Sequence, residues 1–109
     1  MFQHQGDVLL VKVSDEVPSK RSKQKVEMKN GRAVIQHGEA LGHYHTVDPA
    51  FVDIVNIQTL DSIKELTLNV YQDTTITHEE HKPLVLTKGV WKVRTQRESM
   101  FGRWKEVLD

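Results

Sequence analysis

The chain has 109 residues with 15 basic and 15 acidic side chains, so it can build one modest core and carries no net charge to draw it toward nucleic acid or anionic lipid. Cysteine is absent, which excludes disulfides, thiolate zinc sites and iron–sulfur clusters; any bound metal must be held by nitrogen and oxygen. No stretch approaches the roughly 20 apolar residues that span a bilayer, and the start "MFQHQGDVLLVKV" has neither a basic leader nor a long apolar run. A cytoplasmic protein with no membrane partner is therefore expected.

Along the chain the hydrophobic pattern is mostly period two. "DVLLVKV" (7–13) predicts a strand. "SDEVPSKRSKQ" (14–24) is polar, holds a proline and reads as a loop. "KVEMKNGRAVIQ" (25–36) reads as a hairpin, because Asn30–Gly31 tolerates the positive φ angles of a type I′ turn. A histidine-rich piece follows, then a turn around Pro49 and an alternating strand, "FVDIVNIQ" (51–58). "DSIKELTLNVYQ" (61–72) fits two periods: Ile63, Leu66 and Val70 suit a helix, whereas Leu66, Leu68 and Val70 suit a strand, and "TLNVY" favours the strand. "TTITH" (74–78) continues extended, and "KPLVLTKGVWKVRTQRE" (82–98) reads as two strands joined at Thr87–Gly89, with Trp91 in the core. The tail "SMFGRWKEVLD" is expected to form a short helix or an irregular drape. Seven or so strands at this spacing predict an all-β fold, a small sandwich or barrel occupying residues 1–109 as one domain.

Five of the six histidines fall in two short pieces, "HGEALGHYH" (37–45) and "THEEH" (77–81). His43 and His45 are two apart, so on a strand their rings share a face and can converge on one ion at bonds of about 2.0–2.1 Å. His78 and His81 are three apart, which a strand would send to opposite faces but a strand end running into a turn would not. Together the pairs predict a three- or four-histidine site for a divalent ion: zinc, iron or manganese. Glu79 and Glu80 lie between the second pair and Glu39 precedes the first, each placed to be a further ligand or a base acting on metal-bound water. Gly38 and Gly42 flank the first piece and let the backbone bend there. HExxH chemistry does not apply, since only Glu80 separates Glu79 from His81. The competing account makes these histidines turn caps and surface groups, and His4 and His37 are read that way, with His37 a candidate to support a ligand from behind.

Other chemistries find less support. "SKRSKQK" (19–25) and the group Arg94, Arg97, Arg103 and Lys105 beside Trp91 and Trp104 could meet phosphates and bases, but the neutral total charge ranks nucleic-acid binding low. "NGR" and "TKG" are turn signals rather than phosphate loops, and no serine sits in a nucleophile elbow.

"GEALGHYH" followed by "THEEHKPLVLTKGVWKVRTQRE" resembles a family of small uncharacterised bacterial and phage proteins with G-E-x-x-G-H-x-H and H-E-E-H-x-P-L segments. The residues that carry the likeness are Gly38, Glu39, Gly42, His43, His45, His78 to His81, Pro83, Leu84, Gly89, Trp91 and Gln96 to Glu98. The resemblance brings no established activity. A looser one is to cupins, β-barrels that hold a metal with an HxH pair and a later histidine. Cupins put five residues between their glycine and HxH, where Gly38 to His43 leaves four, and the later P-x-G is missing here. Two functions remain in view: a metal-binding protein of hydrolytic or oxygen-dependent type, using His43, His45, His78, His81 and Glu79 or Glu80, and a non-enzymatic β module for binding or assembly, such as a phage or bacterial accessory protein. Exposed strand edges make a homodimer the default expectation.

Overall fold

The computed structural model describes residues 2–38, 42–61 and 63–96. Glu39, the tail expected as helix or drape, and Arg97, Arg103, Trp104 and Lys105 lie outside these residues. The described chain forms ten strands: β1 (Phe2–Gln5), β2 (Val8–Ser14), β3 (Met28–Lys29), β4 (Arg32–His37), β5 (Tyr44–Val47), β6 (Val52–Leu60), β7 (Ile63–Val70), β8 (Thr74–Ile76), β9 (Leu84–Leu86) and β10 (Gly89–Gln96). The fold is all-β, and no helix among the described residues is long and apolar enough to cross a membrane. Residues 63–70 resolve the two-period ambiguity as strand, with Leu66, Leu68 and Val70 turned into the core.

Five strands form one antiparallel sheet in the order β1-β2-β10-β7-β6. A second sheet runs β3-β4-β5, and β8 pairs with β9 in a third. An isolated bridge between Thr46 and Thr77 joins the last two, each threonine donating its N–H to the other's carbonyl at 3.0 Å. The turns follow local chemistry. Asn30 and Gly31 both take positive φ, 53° and 80°, so the two-residue turn between β3 and β4 has the handedness that type I′ requires. Gly6 (φ 59°) and Asp7 make the two-residue turn between β1 and β2, with Gln5 opposite Val8. β1 itself, "FQHQ", is too short and polar for its alternation to announce a strand.

The sheets share one core: Val8 and Leu10 of β2, Ala33 and Ile35 of β4, Val47 of β5, Val52 and Ile54 of β6, Leu66, Leu68 and Val70 of β7, Ile76, Leu86, and Trp91 and Val93 of β10. Trp91 is fully buried and donates its indole N–H to Thr87 O at 2.9 Å, satisfying its one polar atom. The polar loop before β3 has no strand of its own and is pinned by side chains. The Arg21 guanidinium grips Asp53 and the carbonyls of Pro49 and Ala50, while Gln24 pairs with the backbone of Ile54 and Ile57. Burial works against ionisation of Asp53, but Arg21, the Ser22 N–H and the Lys23 charge outweigh it and hold its carboxyl below the usual carboxylate range.

Candidate functional site

The two histidine pieces meet where β5 passes the segment after β8. The Thr46–Thr77 bridge sets their register: it places His45 and His78, the neighbours of the two threonines, side by side. Arg32 holds the threonines from below, donating to Thr46 Oγ1 at 2.9 Å and to the carbonyls of Thr46 and Thr75 at 3.2 Å. After Thr77 the chain turns through residues 78–81 rather than continuing as strand, which is how a three-residue spacing brings His78 and His81 to one side. Their ring centroids lie 4.7 Å apart.

All four histidines of the HxH and HxxH pieces come together. The His45 ring centroid lies 4.4 Å from that of His78 and 6.3 Å from that of His81, and His43 lies 5.5 Å from His78. The cluster has a closed end and an open end. His45 is fully buried and His78 is 8 % exposed, whereas His81 is half-buried and the His43 side chain is 23 % exposed. Among the described residues, neither His43 Nδ1 nor His81 Nε2 finds a hydrogen-bond partner.

Sequence reasoning missed two residues at the closed end, Gln5 and Asp7. The Asp7 side chain is buried, and its Oδ1 lies 3.4 Å from His45 Nε2. Gln5 is also buried, and its Oε1 lies 2.8 Å from His45 Nδ1. The Gln5 nitrogen donates to Ile76 O at 3.3 Å and to Lys82 O at 2.9 Å, which ties the first hairpin to both ends of the histidine turn. The available signal was the triplet "QGD": a glycine turn flanked by two polar side chains, opening an otherwise apolar strand.

The glutamates divide. Glu79 Oε1 accepts the Tyr44 N–H at 2.7 Å and so fastens the turn to β5. Burial disfavours its charge, but the N–H groups of Tyr44 and of Glu79 itself, with the rings of His78 and His43, outweigh that and hold the carboxyl below the usual range. Glu80 is exposed, with Oε1 3.7 Å from His43 Nδ1, and its own N–H donates to His78 Nδ1 at 3.0 Å. His37 stands apart on β4, exposed, with Nε2 2.7 Å from Glu27 Oε1 and its ring edge against Tyr44; His4 is exposed on β1. Among the described residues, no three His, Cys, Asp or Glu side chains form a ready-made metal-holding group.

The family model described as "Domain of unknown function (DUF8820)" matches residues 4–96, a span that includes Gln5, Asp7 and all four clustered histidines. No curated protein and no solved structure matches the chain. With most of its length matched, the chain belongs to the DUF8820 family.

Proposed function

We propose that this protein binds one divalent transition-metal ion in the histidine cluster. His45 and Asp7 hold it at the closed end, with His81 and, in a closed site, one ring from His43 or His78 supplying the remaining ligands. The observation that carries this reading is the contact of 3.4 Å between His45 Nε2 and Asp7 Oδ1. A charge-assisted hydrogen bond would draw these atoms to roughly 2.7–2.9 Å. Two donors on a tetrahedral ion, with bonds of 2.0–2.1 Å, stand about 3.3–3.4 Å apart. The donor set of imidazoles and one carboxylate suits zinc, iron or manganese. His78 joins through Nε2 only by releasing the Glu80 N–H, so it is the ligand with the largest local cost.

If a coordination position stays open toward His43 and His81, the ion supplies a water whose pKa is lowered to about 7. Glu80 is the better placed of the two glutamates to accept a proton there, since Glu79 is committed to the Tyr44 N–H. Isothermal titration of the metal-freed protein with zinc and manganese tests the reading. One saturable equivalent, weakened at least tenfold in both Asp7→Asn and His81→Ala, supports it; a folded protein that binds neither ion ends it.

One observation favours a second reading. His78 Nδ1 already takes the Glu80 N–H, and among the described residues no three-ligand group stands preformed. On that account the cluster is a hydrogen-bonded clasp that closes a non-enzymatic binding module, and chelator leaves its thermal stability unchanged.

A further inference from the structure

We infer that Gln5 is a positioning residue that fixes His45 as the Nδ1–H tautomer, so that the Nε2 lone pair faces Asp7 and the interior of the cluster. The argument begins with the amide. Its nitrogen can only donate and its oxygen can only accept. In Gln5 the nitrogen faces two carbonyl oxygens, Ile76 O at 3.3 Å and Lys82 O at 2.9 Å. Turning the amide over would set oxygen against oxygen at both places and lose both bonds. Oε1 is therefore the atom presented to His45 Nδ1, at 2.8 Å, and the proton between them belongs to the imidazole. Gln5 is 3 % exposed and His45 fully buried, so bulk water does not compete for either group. A neutral imidazole has one N–H; with it on Nδ1, Nε2 is a donor atom for an ion, beside a carboxylate oxygen.

His78 provides an internal contrast. Its Nδ1 receives the Glu80 N–H at 3.0 Å, so its own proton sits on Nε2. Two imidazoles with ring centroids 4.4 Å apart thus carry opposite tautomers, each set by a different partner outside the cluster. His45 is preset to coordinate; His78 is preset to donate a hydrogen bond. The tautomer assignment stands on the hydrogen bonds alone, and only its role in ion binding rests on the metal reading proposed above.

Long-range proton–nitrogen correlation spectra of the histidine rings test this, recorded on the full-length, metal-free, nitrogen-15-labelled protein at pH 8. His45 is expected with a protonated Nδ1 and an unprotonated Nε2, and His78 with the reverse. In Gln5→Met, which keeps the length and removes the acceptor, His45 is expected to lose the Nδ1–H pattern while His78 keeps its own. Zinc affinity of this variant is expected to fall on the order of 10- to 100-fold, as for other groups that orient a ligand. A wild-type His45 protonated on Nε2 alone, or on both nitrogens, overturns the inference without recourse to any variant, so a Gln5→Met protein that fails to fold does not shelter it. A Gln5→Met spectrum unchanged at His45 overturns it as well. The expected tautomers in a wild-type protein that binds no zinc would uphold Gln5 as the positioning residue and remove the metal reading alone.

Discussion

Removing Arg21 should damage the fold more than neutralising its partner Asp53, and the two variants should diverge with pH. Asp53 has a side chain only 1 % exposed, while Arg21 is 44 % exposed. The carboxylate receives Arg21 Nε at 3.1 Å and Arg21 Nη2 at 2.7 Å on Oδ1, and the Ser22 N–H at 2.9 Å on Oδ2. Asp53→Asn leaves a guanidinium that water can reach, so the loss is limited to weakened hydrogen bonds, about 1–2 kcal/mol. Arg21→Ala leaves a buried carboxylate with the Ser22 N–H as its remaining close donor from this group, which costs about 3–5 kcal/mol where the charge stays buried. Protonation sets a ceiling: neutralising an ordinary carboxylate at pH 7 costs about 4 kcal/mol, from roughly three pH units at 1.36 kcal/mol each. Arg21→Ala is therefore expected to lose about 3 kcal/mol at pH 7, a fall in Tm on the order of 12–24 °C for a domain of this size.

The sign of the pH effect follows from the lowered pKa of Asp53 in the folded wild type. Such a group contributes stability that is present above its unfolded value, about 3.9, and is lost as pH falls through the lower folded value. Without Arg21 the same carboxyl can take up a proton near pH 4 at little cost. The deficit of Arg21→Ala relative to wild type should therefore shrink strongly between pH 7 and pH 4, while that of Asp53→Asn narrows only slightly, as the wild type begins to lose its own Asp53 contribution. Urea denaturation of the three proteins at both pH values measures this. An Asp53→Asn variant as damaged as Arg21→Ala at pH 7, or an Arg21→Ala deficit unchanged at pH 4, would refute the reasoning.

Zinc at about 100 times its Kd should raise stability by about 2.7 kcal/mol, and chelator should reverse the accompanying rise in Tm; in Asp7→Asn most of that rise should be absent. Gly89→Ala should destabilise by about 2–4 kcal/mol, because φ is +147° and an added methyl would collide with Ser14 O and the Lys12 side chain; equilibrium unfolding checks it. Trp91→Phe removes the donor to Thr87 O and opens space in a fully buried site, at about 2 kcal/mol in the same assay.

Much of the fold could be read because alternation and turn chemistry are local. Asn30–Gly31 announced its hairpin, and Leu66, Leu68 and Val70 outweighed the helical alternative once each was given a buried face. The strand pairings are less local. "TKG" joins strands that belong to different sheets, since β9 pairs with β8 while β10 lies between β2 and β7, and nothing in a glycine turn distinguishes that from a hairpin. The histidine spacing indicates which rings can meet. It could not reveal Gln5 or Asp7, which reach His45 from 40 and 38 positions away in the chain by way of a short, polar first strand. Nor does the spacing announce that Glu79, a carboxylate between two histidines, accepts the backbone N–H of Tyr44 from 35 positions away.

The location of the cluster follows from what the smallest strands lack. β5, β8 and β9 have four, three and three residues, so backbone pairing alone gives each little hold, and the chain leaving β8 pairs with β5 through an isolated bridge at Thr46–Thr77. Polar side chains fasten this junction: Gln5 to Ile76 and Lys82, Glu79 to Tyr44, Arg32 to Thr46 and Thr75. Each of these bonds joins segments far apart in sequence, and together they bring the turn at 6–7, the strand at 44–47 and the turn at 78–81 around one small polar interior. A ligand that satisfied imidazoles from two of these segments and a carboxylate from the third would add a further cross-link at the place where the sheets are least paired. Stabilisation by such a ligand should consequently concentrate in β8, β9 and the turn between them, rather than spread over the five-stranded sheet, whose ladders already hold it.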